Sequence, residues 1–148
     1  MASARPKFSE DDLRKRVQRK LGGGIASAPW PAGDHDLNPD WPAAGQHGPV
    51  RRPCAVLVPV MIHPTGAWVL MTRRADHLSQ HAGQIAFPGG KIGPEDRAPV
   101  NAALREAHEE IGLHAQFVDI IGRLEDYRTA TGFDIAPFIG IVRPGFAL

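Results

Sequence analysis

Residues 83–113 read GQIAFPGGKIGPEDRAPVNAALREAHEEIGL, and this stretch decides the fold. Phe87-Pro88-Gly89-Gly90 reads as a turn with little side-chain cover, so a carbonyl can face a cation or an amide can face a phosphate. Downstream, Val100, Ala103, Leu104, Ala107 and Ile111 recur at helical spacing and form an apolar stripe suited to packing on a sheet. Glu106 and Glu110 then lie one turn apart, with Glu109 on the same polar flank. Three like charges this close repel one another. A hard divalent cation, which takes carboxylate, water and phosphate oxygens, offsets that repulsion. An isolated Glu-x-x-Glu-Glu reads as a solvated acidic face; the glycine turn upstream and the short, breaker-bounded helix shift the reading to a metal site. Gly112 supplies the helix stop. Asp96 either caps this helix or ion-pairs with Arg105 and so orients the carboxylates.

The flanking sequence supplies the elements that would carry such a site. Ser9-Glu10-Asp11-Asp12 is an N-cap with an acidic first turn, leading into a helix through Leu21. Leu13, Val17 and Leu21 line one side of it, and Arg14, Lys15, Arg16, Arg19 and Lys20 read as a solvated basic face. Residues 22–52 are rich in Gly, Pro, Ala and Asp and form a linker lying across the domain, with Trp30 and Trp41 as partly buried anchors. Ala55–Ile62 is an apolar strand, turned at His63-Pro64-Thr65-Gly66 into a second strand, Ala67–Thr72. A loop over 73–83 leads to a short strand, Gln84–Phe87, and then to the helix Pro99–Ile111. Two further strands, Gln116–Leu124 and Asp134–Val142, flank a loop at Glu125–Phe133. Strands surrounding a helix with mixed connections predict an α+β sandwich, organised as an N-terminal helix and linker (1–52) and a compact domain (53–148).

Composition removes several classes of function. The chain has 148 residues, a net charge of +1 and 22% charged residues. That length suits one core, and the charge balance argues against a general nucleic-acid binder with a broad basic face. The single cysteine, Cys54, sits before an apolar run and reads as a buried, inert thiol. No apolar stretch approaches a membrane span, and the basic start lacks the apolar segment of a signal peptide. A cytoplasmic location is the expectation, and the oligomeric state is open.

The motif resembles the Nudix hydrolases, whose box runs Gly-x5-Glu-x7-Arg-Glu-hydrophobic-x-Glu-Glu-x-Gly-hydrophobic. Gly90 opens it here, Arg105-Glu106 and Glu109-Glu110 carry its centre, and Gly112-Leu113 close it. The box glutamate falls on Asp96, one residue further from Arg105 than the pattern has it. Both departures are shared with the coenzyme A pyrophosphatase branch. That branch's upstream signature is matched by Leu70-Met71-Thr72-Arg73-Arg74 and by Leu78-Ser79-Gln80-His81-Ala82-Gly83-Gln84-Ile85-Ala86-Phe87-Pro88-Gly89-Gly90. Gly93 stands where the branch usually has an aspartate.

The resemblance implies a Nudix fold: a mixed β-sheet sandwiched between helices (an α/β/α sandwich), truncated at the C-terminus, since such domains usually continue with another strand and helix. It implies a Mg2+- or Mn2+-dependent pyrophosphohydrolase acting on coenzyme A or an acyl derivative. Glu106, Glu109, Glu110 and Arg105 would be the catalytic set, and the metal would be held by Glu106, Glu110, Glu109 and the Gly89 carbonyl. Arg73, Arg74, His81, Gly89 and Gly90 would bind substrate, the arginine forks suiting phosphate groups. His77 reads as exposed loop, and His108 and His114 as surface. Glu125 and Asp126 are either an added metal ligand or base, or solvated acids. The rival readings are a pyrophosphatase for another nucleoside diphosphate derivative and a non-catalytic nucleotide-binding module.

Overall fold

The computed structural model describes residues 8–21, 33–34, 51–74 and 83–147. Its spine is a parallel pair formed by β1 (Arg52–His63) and β8 (Phe133–Val142), in register from Arg52 opposite Phe133 to Met61 opposite Val142. On its other edge β1 meets two antiparallel neighbours, β2 (Gly66–Val69) and β5 (Gly89–Lys91). Bonded along both edges, β1 carries the near-continuous apolar run of an interior strand. On the far side of β8 lie β6 (Val118–Arg123) and the short β7 (Tyr127–Arg128), both antiparallel to it. These six strands form one mixed sheet. A separate ribbon joins β3 (Thr72–Arg73) to β4 (Ile85–Ala86).

Helix α2 spans Pro99–Ile111, the predicted range, and packs on β1, β5 and β8. Ala102, Ala103 and Ala107 are fully buried beneath it against Ala55, Leu57, Ala136 and Phe138. Val100, Leu104 and Ile111 are partly buried around that core. Alanine has no side chain beyond Cβ to hold the helix off, so α2 lies close to the sheet. Gly112 adopts the left-handed conformation (φ 69°), and its amide returns to the Ala107 and His108 carbonyls.

Helix α1 (Glu10–Leu21) covers the opposite face. Ser9 caps it, accepting the Asp12 amide on Oγ at 3.1 Å. The buried Val17 lies over Gly122, where an added Cβ would come within 2.5 Å of it. Gly122 is paired with Ile139, whereas Ala136, Phe138 and Val142 of β8 face α2; cross-strand partners share a face, so α1 and α2 sandwich the sheet. An irregularity between Ile120 and Gly122 allows this, because Ile120 pairs with Gly140 and turns toward α2 while Gly122 turns toward α1. Arg14, expected on a solvated face, instead bridges Glu10 at 2.7 Å and the Asp119 carboxylate of β6. The helix of the 1–52 stretch is thus a layer of the same sandwich as the compact domain.

Other expectations shift. The predicted strand Ala67–Thr72 divides into β2 and the start of β3. The predicted loop 73–83 yields Arg73 to a strand, and Gln84–Phe87 contracts to Ile85–Ala86. Gln116–Leu124 opens with a 3-10 turn at Ala115–Phe117 and pairs only from Val118. The loop Glu125–Phe133 contains β7, which Gly33 meets through a bridge to Arg128. Asp34 accepts the Tyr127 hydroxyl proton at 2.5 Å and the Ala130 amide at 2.7 Å. Gly33 and Asp34 thus meet β7 and the residues just after it; Trp30 and Trp41 lie outside the described residues. Cys54 is buried, as expected, and burial pushes its thiol above the usual range. No described helix is long and apolar enough to cross a membrane.

Candidate active site

The glycine turn of the sequence reading is a strand. Leu57 N–H donates to the Pro88 carbonyl (2.9 Å) and Ile92 N–H to the Pro53 carbonyl (3.1 Å), so the ladder alternates through Gly90. That alternation leaves both backbone polar groups of Gly89 on the edge turned away from β1. A Cβ on Gly89 would come within 2.7 Å of the Val56 Cα, which only glycine avoids. One residue on, the Glu106 carboxylate occupies the space over Gly90, 2.5–2.7 Å from where a Cβ would stand.

Glu110, one turn further along α2, accepts the Gly89 amide on Oε2 at 3.3 Å. Burial raises the Glu110 carboxyl above the usual carboxylate range. The Gly89 amide opposes that shift, neighbouring Glu106 and Glu109 reinforce it, and Arg74 lowers it. Two carboxylates of α2 thus converge on the two glycines of β5, and their mutual repulsion is written into Glu110.

Arg105 is the hub beside them. Its guanidinium donates to Asp96 (Nε to Oδ1 3.3 Å, Nη2 to Oδ2 3.0 Å), to Glu106 (3.0 Å), to Glu109 (3.3 Å) and to the Lys91 carbonyl (3.1 Å). The Asp96 side chain is only 4% exposed. Arg105 first, then the Gly93 amide at 2.9 Å, hold its carboxyl below the usual range. Asp96, first among its partners, raises Arg105 in turn. Of the two roles open to Asp96, the structure selects the ion pair: the N-cap position belongs to Ala98, with no side-chain cap bond. Glu95 joins the periphery, its carboxylate lying over Gly93 and 3.8 Å from Arg105 Nε. Sequence reasoning missed Glu95, which has no place in the box pattern.

Arg105 also decides the posture of the acids. With Glu106 and Glu109 both drawn to its guanidinium, no group of three or more His, Cys, Asp or Glu side chains is gathered for a metal among the described residues. The oxygen donors of Glu106, Glu110 and the Gly89 edge nevertheless fit a hard divalent cation. Positive charge there would relieve the repulsion that Glu106 and Glu109 impose on Glu110.

Across from Glu110 lies a cleft of about 480 Å³, lined by Leu70, Met71, Thr72, Arg73, Arg74, Glu110 and Ile111. The β3–β4 ribbon positions the arginines. Arg73 pairs with Ile85, Arg74 N–H donates to Gln84 (2.9 Å), and Thr72 Oγ1 donates to the Ala86 carbonyl (3.1 Å). Arg73, Arg74, Gly89, Gly90, Glu106 and Glu110 therefore belong to one region, with Arg105 and Glu109 at its rim. His81 and His77 lie outside the described residues. His108 and His114 are exposed, as expected, with ring centroids 4.0 Å apart. Glu125 and Asp126 are exposed, and Asp126 pairs with Arg123 at 2.5 Å.

Comparison with known proteins places this arrangement. The family model described as the NUDIX domain matches residues 51–145. An uncharacterized Nudix hydrolase NudL of Yersinia pestis (strain Pestoides F) is 45% identical over 92 residues, covering 62% of this chain and 46% of the relative. The NudL of Yersinia pseudotuberculosis serotype O:1b (strain IP 31758) matches equally. The chain spans about half the length of these curated relatives. Among solved structures, a Nudix hydrolase of M. smegmatis, RenU, superposes with a TM-score of 0.55 at 26% identity, covering 68% of this chain and 66% of that one. The C. elegans Ap4A hydrolase gives 0.52 at 19% identity over 67% and 74%, a likeness of fold.

Proposed function

The chain belongs to the Nudix domain family, and on that premise we propose that it is a Mg2+- or Mn2+-dependent pyrophosphohydrolase cleaving the diphosphate of coenzyme A or an acyl-coenzyme A. The products would be 3',5'-ADP and (acyl-)4'-phosphopantetheine. One observation carries the reading. Glu106 and Glu110 meet the glycines of β5, and Glu110 and Arg74 line the same cleft, so acidic and basic groups face a common space.

Each side chain then has a task. Glu106, Glu110 and the Gly89 carbonyl would hold the cation, with Glu109 at its edge. When bound, the ion neutralises the diphosphate and lowers the pKa of an attacking water. Asp96 holds Arg105, and Arg105 holds Glu106, so this pair sets where the Glu106 carboxylate stands. Arg73 and Arg74 present forked donors to phosphate oxygens. Phosphoryl displacement depends on such positioning and charge neutralisation. The coenzyme A assignment is supported by the Thr72-to-Gly90 signature, whose described parts are the β3–β4 ribbon and β5.

A substrate panel with magnesium and with manganese, products followed by mass, tests the proposal. Coenzyme A should be hydrolysed faster than ADP-ribose and nucleoside triphosphates. Turnover of another dinucleotide with coenzyme A inert would replace the substrate assignment. Binding of nucleotides without any turnover would make the chain a binding module.

A further inference from the structure

A second cleft, of about 360 Å³, opens on the other flank of α2. It is lined by Asn101, Leu104, Arg105, His108, His114 and Ala115, and it shares no residue with the cleft of Glu110. Helical geometry explains the separation: His108 and Glu110, two positions apart, project roughly 200° from each other around the helix. Asn101, two turns before His108, shares its face. His114 reaches them because the left-handed Gly112 turns the chain at the end of α2. The fully buried Leu113, and the Phe117 amide that donates to the His114 carbonyl at 3.0 Å, fix the backbone on either side of it. Two exposed imidazoles thus stand with ring centroids 4.0 Å apart and planes tilted by 39°. Among the described residues neither ring has a hydrogen-bond partner, so their nitrogens are available.

We propose that His108 and His114 chelate one borderline divalent transition-metal ion, of the kind zinc represents, at a site distinct from the magnesium or manganese position at Glu106 and Glu110. Imidazole nitrogens suit Zn2+, Cu2+ and Ni2+, whereas carboxylates and water suit Mg2+ and Mn2+. Charge selects a cation over an anion. The Arg105 guanidinium bordering this cleft is fully engaged: Nε with Asp96, Nη1 with Glu106 and Glu109, and Nη2 with Asp96 and the Lys91 carbonyl. It keeps no donor for an anion. Three carboxylates around one guanidinium leave this flank net negative, which favours a bound cation. Zinc sits roughly 2.0–2.1 Å from imidazole nitrogen, so binding would part the stacked rings by about a further 1 Å, which exposed side chains permit. The Asn101 amide oxygen and water would complete a tetrahedral set. The site is independent of the substrate assignment.

Zn2+ titrated calorimetrically into the full chain, with Mg2+ in large excess to fill the carboxylate site, tests the proposal. His108→Ala and His114→Ala should each weaken one Zn2+ binding event by roughly tenfold or more, since losing a direct ligand costs no less than losing its support. Glu110→Gln should leave that event unchanged. Electron paramagnetic resonance with Cu2+ in place of zinc identifies the donors, and the nitrogen couplings of the wild type should diminish in either histidine variant. Both substitutions fall at exposed positions, and His108→Gln and His114→Gln serve if an alanine variant does not fold. Absent Zn2+ binding in the wild type, or equal binding in wild type and both histidine variants, overturns the proposal and leaves the rings merely stacked on the surface. Loss in only one histidine variant overturns the paired chelate. Loss on Glu110→Gln alone also overturns it, placing the zinc at the carboxylates.

Discussion

Asp96 and Arg105 are joined by two hydrogen bonds, at 3.0 and 3.3 Å, and the same guanidinium reaches Glu106 at 3.0 Å. A side chain outside the proposed metal site therefore sets the position of one inside it. Asp96→Asn keeps the size of the side chain but weakens its hold. Activity should fall about 10–100-fold, the usual cost of losing such a supporting partner, with saturation shifted to higher metal concentration. An unaltered metal-activation curve would show that Arg105 holds Glu106 unaided.

Glu106→Gln and Glu110→Gln each remove a charge and leave packing in place. Turnover should drop roughly 100-fold or more in each, with an unchanged circular dichroism spectrum. Near-normal rates in both folded variants would sink the metal assignment.

Replacing Arg73 or Arg74 with Ala should narrow the preference for coenzyme A over its dephospho form. A charge-assisted phosphate contact is worth about 1.5–3 kcal/mol, which is roughly one to two powers of ten. Rates on both substrates, compared in each variant, decide it: parallel losses assign the arginines to the diphosphate or to the fold.

The glycines separate by what surrounds them. Gly89→Ala drives a methyl against the backbone of β1 and should cost about 3 kcal/mol, the upper end of overpacking effects. Gly93→Ala meets only the end of the exposed Glu95 side chain, whose carboxyl carbon lies 2.5 Å from the new position. It should shift stability by no more than about 0.5 kcal/mol. Chemical denaturation of the two variants gives the comparison, and similar losses would contradict it.

Acid should loosen α1. Arg14 holds the Asp119 carboxyl below its usual value, so the folded state binds that proton less readily than the unfolded state. The associated stability is complete well above the ordinary aspartate pKa of about 3.9 and is lost as pH falls below it. Melting temperatures measured from pH 6 downward should fall more steeply for the wild type than for Asp119→Asn. Parallel curves would mean that the pair contributes nothing measurable.

The sequence foretold the box helix to the residue because both its ends are chemical: Pro99 fits only a first turn, and Gly112 the left-handed stop. It did not foretell β5. A strand of Gly89, Gly90 and Lys91 has no side-chain pattern, and its reason for being glycine, the backbone of β1, lies far away in the chain. β7 escaped for a similar reason: its two residues pair with Ile135 and Asp134 of β8, and Tyr127 is bound by Asp34, far back in the chain. The acids were legible as a group, whereas their meeting with Arg74 depends on a two-residue ribbon that periodicity cannot resolve. The choice between cap and ion pair at Asp96 turned on Ala98, which takes the N-cap position and leaves the carboxylate to Arg105.

The parallel pairing of Arg52–Met61 with Phe133–Val142 carries a consequence for how the protein is made. The strand against which the glycines of β5 are laid leaves the ribosome long before its central partner does. Until β8 is synthesised, the nascent chain displays an open apolar edge of β1, a template for pairing with other chains. Contacts this distant in sequence also slow folding. The interval between the two strands is therefore when this chain is most exposed to aggregation, and helpers that bind extended apolar segments would have their target in residues 52–61.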